Sequence, residues 1–143
     1  MQTLLFKNAA LLDPARAELQ GDHDVLVEDG LIKEVSDRPL QAASARVIDL
    51  KGKTLMPGLI DLHVHVIAVE LNLAQQVHVP NVLVTFRSAP ILRGMLRRGF
   101  TTVRDAGGAG HAFKQAVELG LVQGPRLFVS GPVSYTHLRA HET

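Results

Sequence analysis

Cysteine is absent from the 143-residue sequence, and this absence restricts the chemistry that the chain can carry. Without thiols there are no disulfide bonds, no thiolate metal ligands and no cysteine nucleophile. The N-terminus also lacks a basic segment followed by a long apolar run, since Lys7 and Asn8 interrupt the apolar residues before them. No signal peptide or membrane-spanning segment is therefore visible. Together these observations predict a cytoplasmic protein.

A strong excess of charge of one sign is also missing. The chain has 15 Lys and Arg against 14 Asp and Glu, a formal net charge of +1. Such a balance gives no electrostatic signal for nucleic acid or for a membrane surface. A hydrophobic fraction of 46% is ordinary for a globular protein, and the length suffices for one modest domain. The sequence does not indicate an oligomeric state.

Two histidines separated by one apolar residue, His63 and His65, stand among branched apolar residues that follow Pro57 and Gly58. This pattern predicts a short buried strand. Side chains alternate along a strand, so Asp61 and both histidines would share one face. Because neutral imidazole is a common zinc ligand, the pair predicts a metal site, with a solvated pair of strand histidines as the alternative. The opposite face would consist of Leu62, Val64 and Val66.

Residues 1–55 predict a small, mostly antiparallel layer of short strands joined by tight turns. Asp29 and Gly30 form the clearest turn signal, and they predict a hairpin between strands at 24–28 and 31–35. The other predicted strands are residues 3–6, 9–12, 46–50 and 54–56.

Residues 82–98 predict an amphipathic helix that ends at Gly99. Pro90 lies inside the pattern and should kink or divide the helix, because proline removes a backbone donor and crowds the preceding turn. The predicted apolar stripe consists of Phe86, Ala89, Leu92, Met95 and Leu96.

The rest of the chain predicts alternating strands and helices. Residues 100–105 and 126–130 read as strands, and residues 111–119 read as a helix between them. With the histidine strand and the first helix, this order predicts parallel βαβ units with right-handed crossovers.

A glycine-rich loop at 107–110 offers a reading of a different class, a non-catalytic βαβ binding module. Gly108 and Gly110 match the first two glycines of a dinucleotide-binding fingerprint. Phe113 occupies the third position and breaks the fingerprint. The loop is the only support for this alternative.

Three runs of residues resemble the amidohydrolase superfamily, most closely its imidazolonepropionase-like and Xaa-Pro dipeptidase-like branch. They are Pro57-Gly58-Leu59-Ile60-Asp61-Leu62-His63-Val64-His65, Gly99-Phe100-Thr101-Thr102-Val103-Arg104-Asp105 and Gly124-Pro125-Arg126-Leu127-Phe128. The resemblance implies an α/β chain in which residues 56–132 form about three βα units of a (β/α)8 TIM-type barrel. It also implies that residues 1–55 form a small β-sandwich-like domain before the barrel.

The resemblance further implies a metal-dependent hydrolase. His63 and His65 would ligate one or two divalent ions, with zinc as the expected metal. Metal-activated water would then cleave a carbon–nitrogen bond of a small-molecule amide, cyclic amide or dipeptide-like substrate. The family's other ligands come from strands four to eight, so the chain as written is expected to be an inactive fragment. An inert gene remnant is a further alternative.

Five other residues are candidates near the predicted site. Asp61 would either orient an imidazole as a hydrogen-bond acceptor or cap a nearby backbone donor. Arg104 and Asp105 end the next strand at the same mouth, where they would contact substrate, form an ion pair or anchor a loop. His78 and His111 lie on loops that could face the mouth, but each is more often a surface residue.

Residues 133–143 resemble the translation of a sequencing adapter, so the open reading frame is expected to leave natural DNA near Pro132, and the tail is expected to be non-native. His137 and His141 in this tail are four residues apart and would share a helix face. Neither metalloprotease motif is satisfied, because Leu138 and Ala140 stand where glutamate is needed.

Overall fold

The structure, a computed structural model, describes residues 2–76 and 78–131. It divides into two compact units, the first ending at Pro57 and the second beginning at Gly58. The adapter-like tail at 133–143, with its two histidines, lies outside the described residues. Within the described part of the chain, no helix is long and apolar enough to cross a membrane.

The first unit contains one five-stranded mixed sheet among its described residues, in the order β3-β2-β1-β4, with β5 also paired to β1. β1 and β3 run antiparallel to β2, whereas β4 and β5 run parallel to β1. The prediction of a mostly antiparallel layer holds for β1, β2 and β3, whereas the parallel pairing of the short strands β4 and β5 was not predicted. Residues 37–45 connect β3 to β4 without a tight hairpin, which allows the parallel pairing. The strands are β1 (Thr3–Asp13), β2 (Glu18–Glu28), β3 (Leu31–Ser36), β4 (Arg46–Asp49) and β5 (Thr54–Leu55).

Two turns of the backbone shape this sheet. Asp29 and Gly30 have φ angles of 49° and 81°, the positive values that a two-residue type I′ hairpin needs, so the predicted hairpin is confirmed. Asn8, with φ 55°, lies at a register shift between Phe6 and Ala9. This bulge joins the two strands predicted at 3–6 and 9–12 into one long strand.

A buried carboxylate holds the bulge in place. Asp24 is 5% exposed, and its two oxygens accept the backbone N–H groups of Asn8 at 3.0 Å and Leu40 at 2.9 Å. Lys7 Nζ lies 3.7 Å from Oδ2 of the same carboxylate. Asp24 therefore connects β1 to the segment that follows β3.

The second unit contains a parallel sheet in the order β6-β7-β8. The predicted alternation of strands and helices is confirmed, with one additional short helix after β6. The elements are β6 (Leu59–Val64), α1 (Leu73–Gln76), α2 (Asn81–Arg97), β7 (Phe100–Asp105), α3 (His111–Glu118) and β8 (Arg126–Val129).

Helix α2 continues through Pro90 as one helix, so of the two predicted effects, a kink or a division, the division does not occur. The carbonyl that loses its usual donor belongs to Phe86, whose side chain is 71% exposed. The helix ends before Gly99, where a φ of 91° is accommodated without a side-chain clash.

The buried face of α2 differs from the predicted stripe. Val84, Ser88 and Leu92 are buried at intervals of four residues, whereas Phe86 and Leu96 are 71% and 37% exposed. Burial of Ser88 is tolerated because its hydroxyl donates to the Val84 carbonyl at 2.8 Å. Of the predicted stripe, Leu92 becomes part of a core shared by the sheet and both longer helices, and Met95 packs against that core. The fully buried members of this core are Val66, Leu92, Val103, Ala109 and Leu127.

Replacement of Leu92 by alanine tests this helix orientation. Leu92 is 0% exposed, so we expect Leu92→Ala to lower the free energy of unfolding by about 2–5 kcal/mol. Phe86→Ala on the exposed face is the control and should change it by less than about 0.5 kcal/mol. Urea unfolding followed by circular dichroism measures both, and equal losses would contradict the observed orientation.

Candidate metal centre

Strand β6 carries the predicted histidine pair but ends earlier than predicted, at Val64. The pairing with β7 shifts register between Asp61 and Val64, which leaves Leu62 and His63 together opposite one β7 residue. This bulge interrupts the strict alternation on which the sequence prediction rested. Ile60 and Leu62 are 63% and 64% exposed, so the prediction of a buried strand is wrong, and His65 lies just beyond the strand.

The two imidazoles nevertheless come together. The ring centres of His63 and His65 lie 5.3 Å apart with an interplanar angle of 76°, and both side chains are exposed. Two imidazoles that bind one zinc ion through Zn–N bonds of about 2.0–2.1 Å place their ring centres roughly 5 Å apart. The pair therefore fits a zinc ion in donor chemistry and spacing. Across residues 2–76 and 78–131, no cluster of three or more His, Cys, Asp or Glu side chains forms a fuller site.

One ring nitrogen of His65 has a defined partner. Nδ1 lies 3.2 Å from the carbonyl oxygen of Gly107. A carbonyl only accepts, so Nδ1 carries the proton and donates. The lone pair of Nε2 is left for a metal ion, which is the usual arrangement of a histidine ligand.

Asp61 and Arg104 support the backbone around His63. The Asp61 carboxylate accepts the His63 backbone N–H at 3.0 Å, which is the backbone-capping alternative of the two that the sequence left open. Arg104 Nε donates to the carbonyl of Leu62 at 2.7 Å. Both side chains therefore bond the main chain at the bulge of β6.

Asp105 is fully buried at 0% exposure. Its Oδ2 accepts the backbone N–H of Val66 at 2.7 Å, and its Oδ1 accepts those of Gly107 at 3.0 Å and Ala109 at 3.1 Å. The carboxylate thus anchors the glycine loop, one of the fates that the sequence allowed. The sequence analysis missed the link from this loop to His65. The available signal was an aspartate at a strand end that is closely followed by two glycines.

The glycine loop does not resemble a phosphate cradle. The N–H groups of Gly107 and Ala109, which a phosphate would need, donate to Asp105 instead. Gly108 has a φ of 106°, and a Cβ placed there would lie 2.7 Å from Ile67 Cδ1. These glycines therefore serve the turn, and the binding-module interpretation loses its support.

The two other candidate histidines lie on exposed positions. His78 follows α1, where its backbone N–H donates to the Gln75 carbonyl at 3.1 Å. His111 is the first residue of α3. In the described residues neither joins a cluster of three potential ligands.

Comparison with known proteins supplies the remaining context. Residues 54–142 match the sequence model of the amidohydrolase family. The crystal structure of an amidohydrolase is 66% identical to the chain, with a TM-score of 0.87 over 92% of the chain and 32% of that protein. A prolidase solved in complex with N-methylphosphonate-L-proline is 49% identical, with a TM-score of 0.87 over 91% of the chain and 32% of that protein.

A similar stretch occurs in curated relatives. A dihydroorotase of Aquifex aeolicus is 43% identical over 65 residues, which cover 46% of this chain and 15% of the relative. A dihydroorotase of Trichlorobacter lovleyi is 44% identical over 62 residues, 43% of this chain and 14% of the relative. The chain thus spans about a third of the solved relatives and a smaller share of the curated ones.

Replacement of Gly108 by alanine tests the structure of the loop. Because of the positive φ and the contact with Ile67, Gly108→Ala should lower the free energy of unfolding by more than about 1 kcal/mol. The loop should shift and break the Ala109 N–H bond to Asp105, which faster amide hydrogen exchange at Ala109 would report. Gly110→Ser is the control, because a Cβ there meets nothing within 4 Å and serine is a favourable residue before a helix. Unchanged exchange in Gly108→Ala would contradict this account of the loop.

Proposed function

Because this chain belongs to the amidohydrolase family, we propose that its second unit supplies the first ligand pair of a metal-dependent hydrolase that acts on carbon–nitrogen bonds. The observation that carries the proposal is the approach of the His63 and His65 rings to 5.3 Å. The bond from His65 Nδ1 to Gly107, which leaves Nε2 free, supports the same role.

The relatives support the class of bond. They include proteins named as dihydroorotases and one named as a prolidase. We propose a small-molecule amide, cyclic amide or dipeptide-like substrate for the enzyme to which this chain contributes. The cytoplasmic location of this protein and its lack of a nucleic-acid partner stay predictions from the sequence.

The chain's own residues would hold a metal ion and orient the side chains that bind it. His63 and His65 would bind a divalent ion, with zinc as the expected metal and one or two ions in the complete site. When bound, such an ion lowers the pKa of a bound water and polarises the scissile carbonyl. Asp61 and Arg104 bond to the N–H and the C=O of the peptide between Leu62 and His63, so they would fix the orientation of that peptide and restrict the direction of the His63 ring.

The parallel order β6-β7-β8 supports a place for this unit in a TIM-type barrel. We propose that these strands are the first three of the barrel, with the histidines at the carboxyl ends where such barrels keep their active sites. The sheet of residues 1–57 would be one layer of the accompanying sandwich. Within the described residues only two ligands converge, so the remaining ligands would come from elsewhere, and this chain alone would not turn over substrate.

Zinc binding by the full chain tests the proposed site. Equilibrium dialysis with elemental analysis should find zinc bound to the unchanged chain. His63→Ala combined with His65→Ala should weaken the binding at least about tenfold, because both ring donors are lost. The matched control replaces His137 and His141, the other close pair in the sequence, and should change zinc binding less than threefold, as should His111→Ala.

Zinc affinity that survives loss of His63 and His65 would contradict the metal site. A second assay incubates the zinc-loaded chain with cyclic-amide and Xaa-Pro dipeptide substrates and follows product by chromatography. We expect no turnover, because a tetrahedral site needs further ligands. Turnover that depends on His63 would overturn the proposal that ligands are missing from this chain.

A further inference from the structure

His65 is held by contacts other than strand pairing. The ladder between β6 and β7 ends at the pair Val64 and Asp105, and His65 is the next residue of the chain. An exposed imidazole beyond a strand end has two free side-chain torsions and two tautomers. Something outside the ladder must therefore select the direction of the ring and the nitrogen that carries the proton.

The Asp105 carboxylate bonds both to the backbone that follows His65 and to the loop that contacts the His65 ring. Oδ2 accepts the backbone N–H of Val66, the next residue after His65, at 2.7 Å. Oδ1 accepts the backbone N–H of Gly107 at 3.0 Å, and the carbonyl of Gly107 accepts His65 Nδ1–H at 3.2 Å. One buried side chain thus fixes both the backbone that carries the imidazole and the acceptor that the imidazole meets.

We infer that Asp105 is a positioning residue for His65. Its carboxylate holds the Gly107 carbonyl against Nδ1, and this keeps the ring in the Nδ1–H tautomer. The lone pair of Nε2 is then free to bind a metal ion. Asp105 touches neither ring. It acts through the glycine loop, in which the Ala109 N–H also donates to Oδ1 at 3.1 Å.

The chemistry of this position favours aspartate over its neutral analogue. The carboxylate accepts three backbone N–H groups, one at Oδ2 and two at Oδ1, because a carboxylate accepts at both oxygens. Asparagine has one oxygen, so its NH₂ group would face either the Val66 N–H or the N–H groups of the loop. At 0% exposure water cannot replace the lost acceptor, so the loop or the backbone after His65 must shift.

The first test reads the tautomer of His65 without metal. The full chain is labelled with ¹⁵N and studied by two-bond ¹H–¹⁵N correlation at about pH 8, where histidine is mostly neutral. The His65 signals are assigned by their loss in His65→Gln. We expect the Nδ1–H pattern in the unchanged chain and a shift toward the Nε2–H tautomer in Asp105→Asn.

The matched control is Asp24→Asn in the first unit. Asp24 is also a buried carboxylate, 5% exposed, that accepts two backbone N–H groups. Loss of its bonds should affect the first unit but leave the His65 tautomer unchanged. If Asp105 had a purely structural role, both substitutions would lower the free energy of unfolding equally, and neither would change the tautomer of His65.

An Nε2–H pattern in the unchanged chain, or an unaltered Nδ1–H pattern in a folded Asp105→Asn, would overturn the inference. Should Asp105→Asn fail to fold, Gly108→Ala displaces the Gly107 carbonyl while Asp105 stays intact. It must then shift His65 toward Nε2–H, and an unshifted tautomer there would equally overturn the inference.

The consequence for zinc rests on the proposed function. Asp105→Asn should weaken zinc binding about 10–100-fold, the usual effect of losing the partner that orients a histidine ligand, whereas Asp24→Asn should change it less than threefold. If the unchanged chain binds no zinc, the proposed function fails, while the tautomer measurement still decides the role of Asp105.

Discussion

The backbone N–H group that follows His65 and two N–H groups of the glycine loop depend on a single carboxylate. Asp105 accepts the N–H groups of Val66, Gly107 and Ala109, and its own carbonyl accepts the Ser130 N–H at 3.3 Å. A buried charge is costly unless its hydrogen bonds are complete, so the loop and the strand ends must keep the geometry that satisfies it. The site follows from that requirement, because the Gly107 carbonyl that orients His65 belongs to the same loop.

The chain uses the same physical device at two of its strand bulges. Asp24 accepts the Asn8 N–H at the bulge of β1, and Asp61 accepts the His63 N–H at the bulge of β6. A bulge leaves backbone donors outside the ladder, and these need a partner when water is excluded or the turn is tight. Short aspartate side chains supply that partner locally.

Much of the fold follows from local sequence patterns. The type I′ hairpin at Asp29 and Gly30, the strand at 100–105 and the order of the two longer helices in the second unit were all predictable from turn residues and periodicity. The approach of the His63 and His65 rings was predictable because a single apolar residue separates them in the sequence. These features need no information from distant parts of the chain.

Other features depend on contacts that a local pattern does not contain. The buried face of α2 includes Ser88, which hydropathy assigns to the surface but which bonds to Val84. The strand at His63 ends early because of a bulge opposite β7, a property of two segments together. The link from Asp105 to Val66 spans 39 residues. In each case a long-range or side-chain hydrogen bond outweighs the local preference.

The separation between His65 and its acceptor also has a consequence during protein synthesis. Gly107 lies 42 residues after His65, and ribosomes add about 5–20 residues per second. For roughly 2–8 s the nascent chain therefore carries its histidines without the carbonyl that orients them. An ion captured in that interval would meet freely rotating imidazoles, and the ordered pair can form only after the glycine loop has left the ribosome.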